Sequence, residues 1–312
     1  MVGRKLAQRL VREGSLGVQT ISEMVCVDVA PAPELGAGVQ AVVADITQPE
    51  VVVDLIARRP DVIIDLAAVV SGEAEDNFDK GYRVNLDATR HLLEAVRLAG
   101  PSYVPRLIFS SSIAVFGPPM PDVIADDQPT TPATSYGTQK AILELLLADY
   151  TRRGFVDGVA VRLPTICVRP GAPNLAASGF FSNIIREPLH GRPAVLPVSP
   201  EVRHWFASPR AAVGFLLHAA TMDTIDLGLR RSLTMPGLSA TVAEEIEALR
   251  RVAGDDAVAL IRTEPDATIA RIVDGWPRAF DAQRASGLGF TAERHFDEIV
   301  RVYVEDEMGG AA

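Results

Sequence analysis

Between residues 24 and 163 the chain alternates short apolar runs with stretches of helical periodicity. The runs are Met24-Val-Cys-Val-Asp28, Val39-Gln-Ala-Val-Val-Ala-Asp45, Val62-Ile-Ile-Asp-Leu66, Pro105-Arg-Leu-Ile-Phe109 and Val159-Ala-Val-Arg-Leu163. Each is a short apolar run, too short for a core helix, so each reads as a strand. Helices are predicted over 3–13, where Leu6, Leu10 and Val11 share a face, over 51–56, and over roughly 79–98, which carries Leu86, Leu92, Leu93 and Val96. A further helix starts near Tyr136 and runs to about Arg153, with Ile142, Leu145 and Leu146 inward and Gly154 ending it. Strands separated by helices must cross over to lie parallel, so the fold class is α/β: a doubly wound, Rossmann-like parallel sheet.

After Pro164 the texture changes. Pro170, Gly171 and Pro173 give a loop, followed by a helix over roughly 178–189, a short strand at 195–198 and a helix over 209–222. Thr241-Val-Ala-Glu244 is a capping box opening another helix. A strand at 257–262 and helices near 267–275 and 296–304 complete a smaller C-terminal α/β substrate lobe. The expected domains are 1–164, with 206–222 returning to it, and 165–312.

Composition narrows the function classes. A net charge of −10 argues against a phosphate-backbone partner, so no nucleic acid is expected. No apolar stretch of about 18 residues spans a membrane, and no secretory signal is visible. The two cysteines, Cys26 and Cys167, lie far apart, with Cys26 read as a core thiol. The histidines are scattered and no cluster has zinc spacing, so no metal is expected. A cytoplasmic setting follows.

The chemistry-bearing residues sit at two places. Tyr136 and Lys140 are one helical turn apart, which puts a phenol and an ammonium on one face. A fixed positive charge favours the phenolate, which otherwise forms near pH ~10. Upstream, Ser110-Ser-Ser112 leaves the carboxyl end of the strand that ends at Phe109, the end where ligands bind in open α/β sheets. A hydroxyl there can hold a substrate hydroxyl or carbonyl.

These residues, in Ser110-Ser-Ser-Ile-Ala-Val-Phe-Gly117 and Tyr136-Gly-Thr-Gln-Lys140, resemble the extended short-chain dehydrogenase/reductases, the NAD-dependent epimerase/dehydratase family. One departure is Phe116, where the family usually has tyrosine. The resemblance implies a catalytic set of Ser112, Tyr136 and Lys140, with Asn85 helping to position Lys140 or a proton-carrying water. It implies NAD as cofactor. Asp28 would receive the ribose hydroxyls, and no arginine follows it directly to welcome a 2′-phosphate. Asp45 and Ile46 would touch adenine, Leu66, Ala67 and Ala68 would let the backbone approach the cofactor, and Pro164 would lie beside the nicotinamide. Met1, Val2 and Gly3 match the end of the family's glycine-rich turn. The first strand and the first two glycines of that turn are absent from the given chain, so a native start upstream of Met1 is expected.

Within the family, Ser178–Gly191, Arg203–Arg210 and Thr234–Leu238 resemble a branch that oxidises small sugar acids. A carboxylate substrate calls for a cation, ideally a bidentate arginine. Arg186 and Arg203 are the candidates, with Asn183 for a substrate hydroxyl. Relatives often dimerise through the helix bearing the Tyr/Lys pair, so a homodimer is expected. Two other readings stay open: a nucleotide-sugar epimerase or dehydratase with the same triad, and a non-catalytic NAD-binding regulator.

Overall fold

The structure is a computed structural model and describes residues 1–32, 35–36, 38–171 and 177–310; Pro173 of the expected loop lies outside them. In chain order the elements are α1 (Val2–Glu13), β1 (Ser15–Leu16), β2 (Gln19–Thr20), β3 (Met24–Asp28), β4 (Val39–Val43), α2 (Pro49–Ala57) and β5 (Val62–Asp65). Then come α3 (Ser71–Asp76), α4 (Phe78–Gly81), a π-helical turn (Tyr82–Asp87), α5 (Ala88–Leu98), β6 (Arg106–Ser112), α6 (Ser135–Arg152) and β7 (Asp157–Leu163). The remainder is β8 (Thr165–Ile166), α7 (Gly179–Leu189), β9 (Ala194–Leu196), β10 (Arg203–Ala207), α8 (Pro209–Thr221), β11 (Ser232–Thr234), β12 (Leu238–Thr241), α9 (Val242–Ala253), α10 (Asp255–Val258), β13 (Ile261–Thr263), α11 (Ala267–Asp274), α12 (Gln283–Gly287) and α13 (Phe296–Glu307).

The chain forms two compact units. The first comprises Met1–Val115, Thr134–Arg162 and Val213–Leu233; the second comprises Phe116–Ala133, Leu163–Ala212 and the residues from Thr234 onward. The segment 116–133, placed in the first domain by the sequence, therefore belongs with the second unit.

In the first unit β5 pairs in parallel with β6, in the order β11-β7-β6-β5, and β3 pairs in parallel with β4 as a separate ribbon. β3 and β5 each have a hydrogen-bonded strand on one side only among the described residues. The register Asp28↔Val43 brings the carboxyl ends of β3 and β4 level. Helices α2, α5 and α6 cover β6 and β7 through a core that includes Val52, Ile56, Leu93, Val96, Leu107, Phe109, Leu143 and Leu147. Burial of such aliphatic side chains, each worth roughly 1.5–3 kcal/mol, fixes the seat of α6.

Several expectations are corrected here. The inward face of α6 carries Leu143, Glu144 and Leu147, whereas Leu145 is 73% exposed. The run of leucines at 145–147 hid the true stripe, because buried polar residues occupy part of it. The helix expected over 79–98 is interrupted by the π-helical turn around Asn85. The serines do not leave β6 but finish it, with Ser110 and Ser111 buried. Cys26 is half-buried rather than a core thiol, since β3 has no fully buried residue.

In the second unit β10 lies between antiparallel β12 and parallel β8, and β13 pairs in parallel with β9. Phe181, Ile184, Ile185, Phe206, Leu249 and Ile299 lie in its core. The capping box forms as read: Thr241 and Glu244 exchange side-chain-to-backbone bonds at the start of α9. The strand expected at 257–262 is instead α10 followed by β13. Gly254 ends α9, and Asp255 and Asp256 open a new short helix, where acidic side chains are favoured.

Candidate active site

Ser112, Tyr136, Lys140 and Asn85 all lie in the first unit. Ser112 is the last residue of β6, half-buried, and its Oγ accepts the Ala114 N–H at 3.2 Å. Tyr136 sits in the first turn of α6, whose start is fixed from two sides. The Thr134 Oγ1 caps the helix by accepting the Gly137 N–H at 3.1 Å, and the Ser135 N–H donates to Glu75 at 2.9 Å. Lys140 follows one turn later, 1% exposed. Its Nζ stands 4.6 Å from the Phe109 ring centroid and 5.6 Å from that of Tyr136. Phe109 thus supplies a cation–π floor beneath an ammonium that faces the tyrosine.

Burial is the dominant influence on Lys140. It pushes the ammonium down to about 8, against the opposing pull of Asp65 and Glu144. Asp65, at the end of β5, is itself buried, which raises its carboxyl; the Thr89 hydroxyl, donating at 2.7 Å, and Lys140 act the other way. Glu144 sits one turn beyond Lys140. It receives the Arg162 guanidinium through two bonds, at 2.9 and 2.7 Å, and the Ser111 hydroxyl at 2.5 Å. The sequence reading passed over Asp65, Thr89, Glu144 and Arg162. The one available signal was a charged residue inside an otherwise apolar strand, Asp65 in Val62–Leu66 and Arg162 in Val159–Leu163.

The Asn85 side-chain amide joins the loop after β5 to Gln139: Oδ1 accepts the Val69 N–H at 2.8 Å, and Nδ2 donates to the Val69 carbonyl at 3.2 Å and to Gln139 Oε1 at 2.8 Å.

The cofactor candidates of the first unit gather at the carboxyl ends of the parallel strands. Asp28 is exposed at the end of β3 and accepts the Ala30 N–H at 3.0 Å. Asp45 is exposed just beyond β4; the Thr47 N–H, bonded at 2.9 Å, holds its carboxyl below the usual range. Ile46 packs on the core below. Leu66 is half-buried, and Ala67 and Ala68 are exposed. Met1, Val2 and Gly3 form the start of α1, which has no side-chain cap. A Cβ on Gly3 would lie 3.5 Å from the Leu66 side chain, which brings the α1 terminus beside the loop after β5. A helix start, a strand-end carboxylate and small residues in the adjoining loop fit a dinucleotide. Pro164 is buried in the second unit.

The three substrate candidates also lie in the second unit. Arg186 is 3% exposed, and protein groups take its guanidinium: Glu187 at 2.8 Å, the Arg169 carbonyl at 2.8 Å and Asn183 Oδ1 at 2.6 Å. A buried guanidinium must be paired internally, so Arg186 ties α7 to the chain before it, while half-buried Asn183 accepts from Arg186 within the same helix. Arg203 is partly exposed, bonded to Ser239 and near Glu244. It lines a cavity of about 470 Å³ with Asp122, Ser199, Glu201, Val202 and Arg278. Among the described residues no group of three or more His, Cys, Asp or Glu side chains could hold a metal ion, and no helix is long and apolar enough to cross a membrane.

D-erythronate dehydrogenase of Cupriavidus necator is 48% identical over 98% of this chain and 95% of its own length. The Haemophilus influenzae D-erythronate dehydrogenase is 41% identical over 98% and 96%. A crystal structure from Agrobacterium tumefaciens, described as a nucleoside-diphosphate-sugar epimerase, superposes with a TM-score of 0.96 at 60% identity, covering 99% of this chain and 92% of that one. The family model of the NAD dependent epimerase/dehydratases matches residues 1–221, and the chain belongs to that family.

Proposed function

We propose that the chain is an NAD-dependent dehydrogenase that oxidises a secondary alcohol of a small sugar acid, D-erythronate to 2-dehydro-D-erythronate. The observation that carries this is Tyr136 facing a buried ammonium one turn away, on a helix packed against the strand that ends at Ser112. The two D-erythronate dehydrogenases, similar over nearly the full chain, support the substrate.

The roles follow from the side chains. Ser112 donates its hydroxyl hydrogen to the substrate oxygen and holds it as a carbonyl develops. Tyr136 takes the hydroxyl proton as general base. The Lys140 ammonium stabilises the negative charge that the phenol oxygen must carry, and its burial strengthens that attraction. Asp28, Asp45, the loop 66–68 and the start of α1 would hold NAD, which when bound accepts the hydride at its nicotinamide ring. Arg203 is the cation proposed for the substrate carboxylate. Replacing Tyr136 with Phe should lower turnover by at least a hundredfold, within the ~10²–10⁴ range of general-base contributions, with NAD affinity unchanged. Near-normal turnover would refute the assignment.

A second reading, nucleotide-sugar epimerisation, is favoured by the description of the 60% identical structure. The two separate cleanly. D-erythronate with NAD should yield NADH, whereas an epimerase would invert a nucleotide sugar with no net NADH. We also place the enzyme in the cytoplasm as a homodimer. Two free cysteines support the first. Leu98 and Leu145, 68% and 73% exposed on α5 and α6, support the second.

A further inference from the structure

Gln139 lies between the two members of the Tyr136/Lys140 pair in sequence, and its side chain is 0% exposed and bonded to Asn85. Its place is enforced by a neighbour. A Cβ on Gly81, at the end of α4, would lie 3.0 Å from Gln139 Nε2 and 3.1 Å from Ala74, so glycine there leaves room for the amide. The hydrogen-bond polarity is fixed step by step. The Val69 N–H can only donate, so Asn85 presents Oδ1 to it at 2.8 Å. That turns Asn85 Nδ2 toward α6, where it needs an acceptor, and Gln139 Oε1 receives it at 2.8 Å. Gln139 Nε2 makes no bond among the described residues, so Oε1 is the atom that matters. The π-helical turn Tyr82–Asp87 carries Asn85 at this junction, and such turns recur at functional sites.

We propose that Gln139 is a positioning residue that, through Asn85, clamps the loop after β5 to the catalytic helix and so sets the cofactor loop against Tyr136 and Lys140. The proposal rests on the reading of Leu66, Ala67 and Ala68 as part of the NAD site. Val69 is the next residue of that loop, and both its N–H and its carbonyl are held by the one amide. Removing the acceptor on Gln139 leaves a buried N–H unpaired on Asn85, and the cheapest relief is rotation of that amide, which releases Val69. The loop then moves independently of α6. NAD must order it on binding, which costs affinity and leaves the Tyr/Lys chemistry intact once NAD is bound.

The test uses three forms of the full chain: wild type, Gln139→Met, which keeps the volume and loses the acceptor, and Gln139→Glu, which keeps an oxygen where Oε1 stands and replaces only the unbonded nitrogen. Hydrogen exchange over 66–70 is measured without ligand, and KM for NAD, kcat and its pH profile are measured with D-erythronate. Gln139→Met should exchange about tenfold faster at 66–70 and raise KM for NAD about tenfold, with kcat within threefold and its pH profile unmoved. Gln139→Glu should lie within threefold of wild type in exchange at 66–70 and in KM for NAD. Unchanged exchange in Gln139→Met, or equal damage from both variants, overturns the clamp. Faster exchange with an unchanged KM for NAD keeps the clamp but overturns the cofactor role of the loop, and with it the proposal that Gln139 serves catalysis.

Discussion

The buried pair Glu144–Arg162 offers a test in which stability and catalysis respond differently to the same substitutions. The side chains are 5% and 10% exposed, and two guanidinium bonds and the Ser111 hydroxyl converge on one carboxylate. Replacing Glu144 with Leu strands the Arg162 cation in the core, at a cost of roughly 3–5 kcal/mol. At about 2–4 °C per kcal/mol for a domain of this size, the melting temperature should fall by roughly 6–20 °C. Replacing both residues, Glu144→Leu with Arg162→Met, removes the stranded charge and should recover most of that loss, since apolar pairs of similar volume substitute well for buried ion pairs. Catalysis should not recover with it. Glu144 also holds the Lys140 ammonium up against burial, so its loss moves Lys140 further below about 8 in the single and the double variant alike. The alkaline limb of NADH formation should therefore shift to lower pH in both. Melting curves and pH–rate profiles on the same preparations give the answer. A double variant as unstable as the single one, or an alkaline limb that stays in place, would show that Glu144 does not act as argued.

In the wild type, Lys140 is a cation below about 8 and loses its charge as pH rises through that value, so kcat should decline above about pH 8; a rate still climbing at pH 10 would contradict this. Glu245 is fully buried in α9, and neither carboxyl oxygen has a hydrogen-bond partner among the described residues. Burial raises its pKa above the unfolded value, so folded and unfolded chains bind protons equally at low pH, and stability is lost as pH rises past 4.5. Glu245→Met should therefore stabilise the fold by roughly 1–3 kcal/mol near neutrality, with a gap over wild type that widens from pH 5 to 7 in thermal melts; a constant gap would sink the explanation. If Leu145 lies in a dimer interface, Leu145→Glu should sediment as a monomer, and an unchanged sedimentation coefficient would remove that helix from the interface.

What the sequence made legible was whatever repeats along the chain. Strand runs and helical stretches announce themselves by period, and the spacing of Tyr136 and Lys140 needs only the pitch of a helix. What it hid was whatever depends on contact between distant segments. Glu144 shows no role beside its leucines until β6 and β7 bring Ser111 and Arg162 to it, and it lies on the buried face of α6 while Leu145 is exposed. Arg186 reads as a ligand for an anion until α7 folds back on Arg169 and uses it up. Asn85 shows no partner of its own in the sequence until the fold brings its amide to Val69 and Gln139.

These hidden contacts share a cause. An ammonium that must stay dry to act on a phenol cannot be hydrated, so its field has to come from fixed charges that are themselves buried. Asp65 and Glu144 supply it, and each in turn needs donors of its own, Thr89 for one, Ser111 and Arg162 for the other. The polar cluster beneath Tyr136 is therefore as large as it is because every buried charge recruits the next. It ends where a neutral donor or a bidentate pair closes it. By that reasoning a homologue that keeps Lys140 but replaces Glu144 with an apolar residue should also lack a charge at position 162, because an arginine left there alone would cost more than the fold gains from either residue.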